Sequence, residues 1–250
     1  MSGQDEPILV PYAPLNIPKA VAPDVWIVDG GEIRFSYFGF NLPFPTRMTI
    51  VRLPSGGLWL HSPTVPDEAL FGKINEIGPI RFLIAPNTLH YWWIADWKEK
   101  FPAALVYTVP GLQRSARRRI PIERTLEAAP PPEWADAIDQ VMIRGDMLTE
   151  VEFFHRSSRT LILTDLIENF ELSRIRKRFY RWLMRIGGVA DPDGKAPYDM
   201  QLSFFRHRNG VRTAVRRMIA WKPERIIIAH GRWYDVDAGF ELNRAFRWIL

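Results

Sequence analysis

The run TLILTDL, Thr160–Leu166, joins a short apolar stretch to a carboxylate at its end. It is too short for a helix, rich in residues that favour pleated structure, and bounded by polar residues, so it reads as a buried strand. Asp165 then stands where the chain leaves the sheet. The same arrangement recurs three times. RIIIAHG, Arg225–Gly231, ends on His230; the strand Arg81–Ala85 runs through PNTL into His90; and LWLHS, Leu58–Ser62, ends on His61. Four ionisable residues at four strand ends are the first candidates for chemistry.

The rest of the chain falls into two halves of one pattern. Val25–Val28, Ile33–Phe38, Met48–Leu53 and Leu58–His61 read as strands, with Ser55-Gly56-Gly57 as a hairpin turn. Thr64 reads as a helix cap with Pro66 in the first turn. A strand at Arg81–Ala85, a helix at Leu89–Lys100 and a strand at Ala104–Tyr107 follow. In the second half, strands are expected at Gln140–Ile143, Thr149–Phe154, Thr160–Leu163 and Arg225–Ala229. Helices are expected at Leu172–Ile186, Val211–Trp221 and Ala238–Leu250. Two β-then-α halves favour two sheets packed face to face with helices outside, one sheet mainly from residues 25–107 and one from 140–230. Residues 1–24, rich in proline, read as an extended surface arm ahead of a single domain spanning 25–250.

Composition narrows the function. With 250 residues the chain can bury a full core. The absence of cysteine excludes disulfides, thiolate metal sites and a cysteine nucleophile, and fits a cytoplasmic location. No apolar run reaches the roughly 18 residues of a membrane span, and the first residues lack the pattern of a secretory signal. A net charge of +5 favours encounter with anions. No specific nucleic-acid partner is expected. No glycine-rich phosphate loop, dinucleotide fingerprint or complete nucleophile motif occurs.

The strand-end segments carry a resemblance. RMTIVRLPSGGLWLHS (Arg47–Ser62), TLILTDL and RIIIAHG resemble the opening hairpin, the aspartate-bearing strand and the last histidine-bearing strand of the metallo-β-lactamase superfamily. APNTLHYWW, FFHRSSRTLILTDL and AHG are similar to a branch of that superfamily known only as a domain of unknown function. The resemblance implies a four-layer αββα sandwich. It also exposes a departure. Over the family's HxHxDH turn, Pro86 and Thr88 replace the first two histidines, His90 stands at the aspartate position and Tyr91 replaces the third histidine. No histidine lies near Arg144–Asp146, where another ligand is due. Asp165 and His230 match. His61 sits where the family carries a non-ligand aspartate. A dinuclear zinc site takes about five or six His and Asp ligands, so standard dinuclear hydrolysis is not expected.

Three readings of His90, Asp165, His230 and the neighbouring His61 stay open. The first three could hold one divalent ion, zinc or iron. Asp165 could instead orient a histidine as a metal-free general base. Or the cluster could be an inherited structural contact. The functions that follow are binding of a small anionic ligand or partner by a degenerate site, or hydrolysis of a small ester, amide or phosphoester. His155, Arg156 and Arg159 form a turn able to bind an anion, against a plain solvated hairpin. Tyr91 and Trp92 could line a pocket mouth. The basic helix Leu172–Ile186 could rest on an anionic membrane surface; as a cover helix it would bury Phe179 and Leu183 and leave Arg176 and Lys177 in solvent. The oligomeric state is left open.

Overall fold

The computed structural model describes residues 7–37 and 39–250. Phe38, the end of one expected strand, and the first six residues of the expected arm lie outside the described residues.

The first sheet contains β1 (Lys19–Ala22), β2 (Val25–Tyr37), β3 (Phe40–Arg52), β4 (Leu58–His61), β5 (Ile80–Ala85), β6 (Leu105–Thr108) and β7 (Arg124–Thr125), in that spatial order. The first four pair antiparallel, and β4 to β7 pair parallel. The parallel pairs need crossovers, supplied by α1 (Glu68–Ile77), α2 (Ile94–Lys100) and the short α3 (Leu112–Ser115). The second sheet holds β8 (Ile138–Arg144), β9 (Thr149–His155), β10 (Thr160–Ile162) and β11 (Arg225–Ile227), ordered β11-β10-β9-β8. Only β10 and β11 pair parallel there, and α4 (Arg178–Gly187), α5 (Tyr198–Ser203) and α6 (Arg208–Ala220) lie in the crossover between them. The helix α7 (Ala238–Ala245) closes the fold.

Alternation along the second sheet explains the uninterrupted apolar runs around β10 and β11. Val151, Phe153, Ile162 and Ile227 share one core with first-sheet residues such as Ile50, Trp59 and Leu60. Phe154, Leu161 and Ile226 point the other way, into a second core under Val211, Val215 and Met218 of α6 and Leu242 of α7. A sheet covered on both faces has no polar face to show. Between the sheets, Phe153 meets Trp59 edge to face at 4.8 Å. Truncating such a fully buried ring to alanine costs about 3–5 kcal/mol.

Several boundaries differ from the expectation. Among the described residues before Val25, Lys19–Ala22 form β1, the edge strand of the first sheet, and Ile8 and Leu9 are buried rather than lying on the surface. The cap of α1 is Asp67, whose side chain accepts from Leu70 N at 2.8 Å; Thr64 is buried ahead of it. The helix expected from Leu89 settles only at Ile94, after turns over residues 88–93. The expected 172–186 helix is broken. A 3₁₀ turn at Leu172–Arg174 ends where Ile175 buries beside Ile8 and Leu9, and α4 restarts at Arg178. That break changes the helix's facing. Met184 is the buried residue of α4, Leu183 is half-buried, and Phe179, Trp182 and Ile186 are exposed along with Arg176 and Lys177. No helix among the described residues is long and apolar enough to cross a membrane.

Candidate metal centre

Three of the strand-end residues meet. Asp165 lies just beyond β10, His230 just beyond β11, and His90 in the turns after β5. His90 Nε2 and His230 Nε2 are 3.1 Å apart, and each is 3.2 Å from Asp165 Oδ1. Among the described residues this is the one group of three or more potential metal ligands drawn together. His230 and Asp165 are buried, while the His90 side chain keeps 11% of its surface in solvent and opens the triangle to the outside.

Each corner is fixed by its own polar partner. Glu150, on β9, receives Thr164 N at 2.9 Å and Asp165 N at 3.1 Å, and so sets the turn that carries Asp165. Its second oxygen accepts from Asn87 Nδ2 at 2.7 Å. Asn87 Oδ1 in turn accepts from Leu89 N and His90 N, both at 2.8 Å, as a helix-capping side chain does. Asn87 thus orients the backbone under His90, and Ser62 Oγ lies 2.6 Å from His90 Nδ1. His230 Nδ1 lies 2.7 Å from the Pro45 carbonyl oxygen. Buried Arg47 donates to the carbonyls on either side of His230, Ile228 at 2.7 Å and Gly231 at 2.9 Å, and is itself paired with Asp29. Gly231 has φ +96°, and an added Cβ would stand 2.0 Å from the Asn169 carbonyl oxygen. Only glycine allows that approach.

The electrostatics follow from burial and proximity. Burial opposes ionisation of Asp165, but the two imidazoles outweigh it and hold the carboxyl below the ordinary carboxylate range. Burial works against protonating His90, and the Asp165 charge more than compensates, so its pKa is raised. Burial, then the Asp165 charge, pushes Glu150 up. Glu152 and Glu168 stand well above the usual range, chiefly through burial.

The donor set fits one metal ion. A carbonyl oxygen only accepts, so the Pro45 contact puts the proton of a neutral His230 ring on Nδ1 and leaves the Nε2 lone pair facing the Asp165 oxygen. Two acceptors turned towards each other need a cation or a proton between them. Tetrahedral zinc with bonds of about 2.0–2.1 Å spaces its ligands about 3.3 Å apart, close to the triangle's edges. Two histidines and one carboxylate on one face also suit iron(II). The other carboxylate oxygen of Asp165, Oδ2, is already bound by Asn87 Nδ2 at 2.7 Å.

The other candidates are not corners of the triangle, although His61 lies near it. His61 is buried, stacked on Trp59 at 5.5 Å, with Nε2 lacking a hydrogen-bond partner. Burial, helped by the nearby His90 charge, drives its pKa down to about 3, so it is neutral. Tyr91 is buried, its hydroxyl accepting from Arg117 N, whereas Trp92 is largely exposed. The 155–159 turn sits at the far end of β9 from Glu150. There His155 bonds Ser158, and the charges of Arg156 and Arg159 are met by Asp139 and Glu224. Sequence reasoning missed Asn87, Glu150 and Arg47. The signal for Glu150 was present: TEVEFFH sets two glutamates in an otherwise apolar strand, which calls for a buried partner.

A family model described as "Domain of unknown function (DUF4336)" matches residues 35–174. The chain belongs to the DUF4336 family. His90 and Asp165 fall inside the matched span of this DUF4336 protein, and His230 lies beyond it. No curated protein matches the sequence. Solved metallo-β-lactamases match the fold over nearly the whole chain. A metallo-β-lactamase from Pontibacter korlensis is 14% identical with a TM-score of 0.58, covering 92% of this chain and 98% of its own. One from Hirschia baltica is 13% identical with a TM-score of 0.58, covering 90% and 94%. FIM-1 from Pseudomonas aeruginosa, solved in its mono-zinc form, is 13% identical with a TM-score of 0.56, covering 97% of each. The DUF4336 chain is thus a divergent protein of metallo-β-lactamase fold, with a partial His/Asp cluster in place of the full ligand set.

Proposed function

We propose that His90, Asp165 and His230 hold one divalent ion, zinc or iron, and that the positions left open on it take a small anionic ligand or water. The carrying observation is the His230 ring: its Nδ1 faces the Pro45 carbonyl, and its Nε2 is turned towards Asp165 Oδ1 and His90 Nε2. Ligating histidines commonly give their other ring N–H to a backbone carbonyl, which fixes the tautomer and strengthens the ligand. Three protein ligands and an open position are the pattern of catalytic rather than structural zinc. The existence of a mono-zinc metallo-β-lactamase, FIM-1, supports a one-metal state of this fold.

A bound ion would polarise a carbonyl or phosphoryl oxygen and lower the pKa of water. The chain's own part is orientation. Glu150 and Asn87 hold the Asp165 and His90 turns together, and Arg47 holds the His230 turn. Partly exposed His90 is the side from which ligand enters. Hydrolysis of a small ester, amide or phosphoester is the chemistry this arrangement favours, without the second ion of a dinuclear site.

Elemental analysis of protein purified without a metal-chelating tag tests the reading. We expect about one equivalent of zinc or iron in the native chain and none in Asp165→Asn, a loss beyond the about 10- to 100-fold that changes around metal ligands cause. A native chain that stays metal-free after equilibration with either ion would overturn it.

A further inference from the structure

We infer that Asn87 is the residue that restricts this centre to one metal ion, its amide filling the place between Asp165 and Glu150 that a second cation would occupy. This rests on the one-metal reading above and adds the reason for it. Asp165 uses its two oxygens differently. Oδ1 faces the histidines, and Oδ2 faces away from them, 2.7 Å from Asn87 Nδ2. On its other side the same nitrogen is 2.7 Å from Glu150 Oε2, with Thr164 Oγ1 at 3.0 Å. Two buried carboxylates therefore share one neutral NH₂ group, in a pocket where a cation would otherwise relieve their repulsion. The orientation of the amide is settled by its other end, because Oδ1 accepts two backbone N–H groups.

Exchanging that NH₂ for oxygen changes one thing only. In Asn87→Asp the acceptor towards Leu89 N and His90 N remains, and the size is preserved. A third carboxylate oxygen then meets Asp165 and Glu150. Buried carboxylates without donors need protons or a divalent ion, and an all-oxygen pocket suits a hard cation such as manganese(II).

The experiment equilibrates the full chain with manganese(II), measures bound metal by elemental analysis after desalting, and follows Tm with and without the ion. The native chain should bind about one equivalent. Asn87→Asp should bind about two, melt lower than the native chain in chelator, and recover most of that loss with manganese(II). The swapped pair Asn87→Asp with Glu150→Gln restores one amide among the acids and should return to about one equivalent; it also keeps the test alive if the single variant does not fold. Asn87→Asp with one equivalent and an unchanged Tm overturns the inference and leaves the one-metal reading standing. So does failure of both variants to fold, or two equivalents in the swapped pair. A native chain that binds neither manganese(II) nor, in parallel equilibrations, zinc or iron overturns the one-metal reading itself.

Discussion

His90 and His230 meet through their Nε2 atoms at 3.1 Å, with Asp165 Oδ1 at 3.2 Å from both. Two ring nitrogens and a carboxylate oxygen this close need a proton or a cation between them. Metal and proton compete for one place.

Ligand-linked stability is the first consequence. Zinc at about 100 times its Kd adds about 2.7 kcal/mol to the native state, which in a chain of this size raises Tm by roughly 5–10 °C. Differential scanning calorimetry should show the rise, a chelator should remove it, and Asp165→Asn should abolish it. An equal rise in the native chain and the variant would show that zinc binds elsewhere.

Acid should weaken the fold through His61. Burial, then the His90 charge, pushes its folded pKa down to about 3, whereas the unfolded chain protonates near the ordinary ~6.5. The unfolded state takes the proton first, so this contribution is complete above ~6.5 and is lost as pH falls towards 3. Between about pH 7.5 and pH 5 the loss is on the order of 2 kcal/mol. Urea midpoints of the native chain should fall over that range more steeply than those of His61→Phe. Parallel slopes would mean that His61 protonates without cost.

Gly231→Ala should be among the most damaging single changes. The residue combines φ +96° with backbone 2.0 Å from where a Cβ would stand. Strain and clash together should cost about 3 kcal/mol or more, and His230 should lose its register beside Asn169. Chemical denaturation measures the first effect, metal affinity the second. A fully stable Gly231→Ala protein would show that this turn relaxes freely.

On α4, buried and exposed positions should separate cleanly. Met184→Ala should cost about 2–5 kcal/mol, because Met184 packs with Ile8, Leu9 and Ile175. Trp182→Ser, on the exposed side, should stay within about 0.5 kcal/mol. A large loss at Trp182 would mean that its ring is covered in solution.

The sequence revealed this helix's composition but not its facing. Periodicity sees which residues share a stripe; it cannot see that Ile175 anchors into a satellite cluster and restarts the helix at Arg178. The strands were legible where both faces are buried, as in TLILT, because short apolar runs have few other uses. β1 was hidden because Lys19–Ala22 is a short edge strand without alternation. Within the centre, Asp165, His230 and His90 stood out as ionisable ends of apolar strands. Asn87 did not. Its part depends on Glu150, 63 residues away in the chain, and asparagine beside proline otherwise signals only a turn.

Arg47 and Pro45 belong to β3 of the first sheet, yet they grip the loop that bears His230 at the end of the second, 181 to 185 residues further on. His90 comes from the first half of the chain, and Asp165 and His230 come from the second. The triangle is therefore a seam. Neither half owns it, and it exists only after the two halves have docked in register. An ion seated there would act as a rivet across a sequence span of 140 residues, tightening the assembled molecule against coming apart while doing nothing for either half alone.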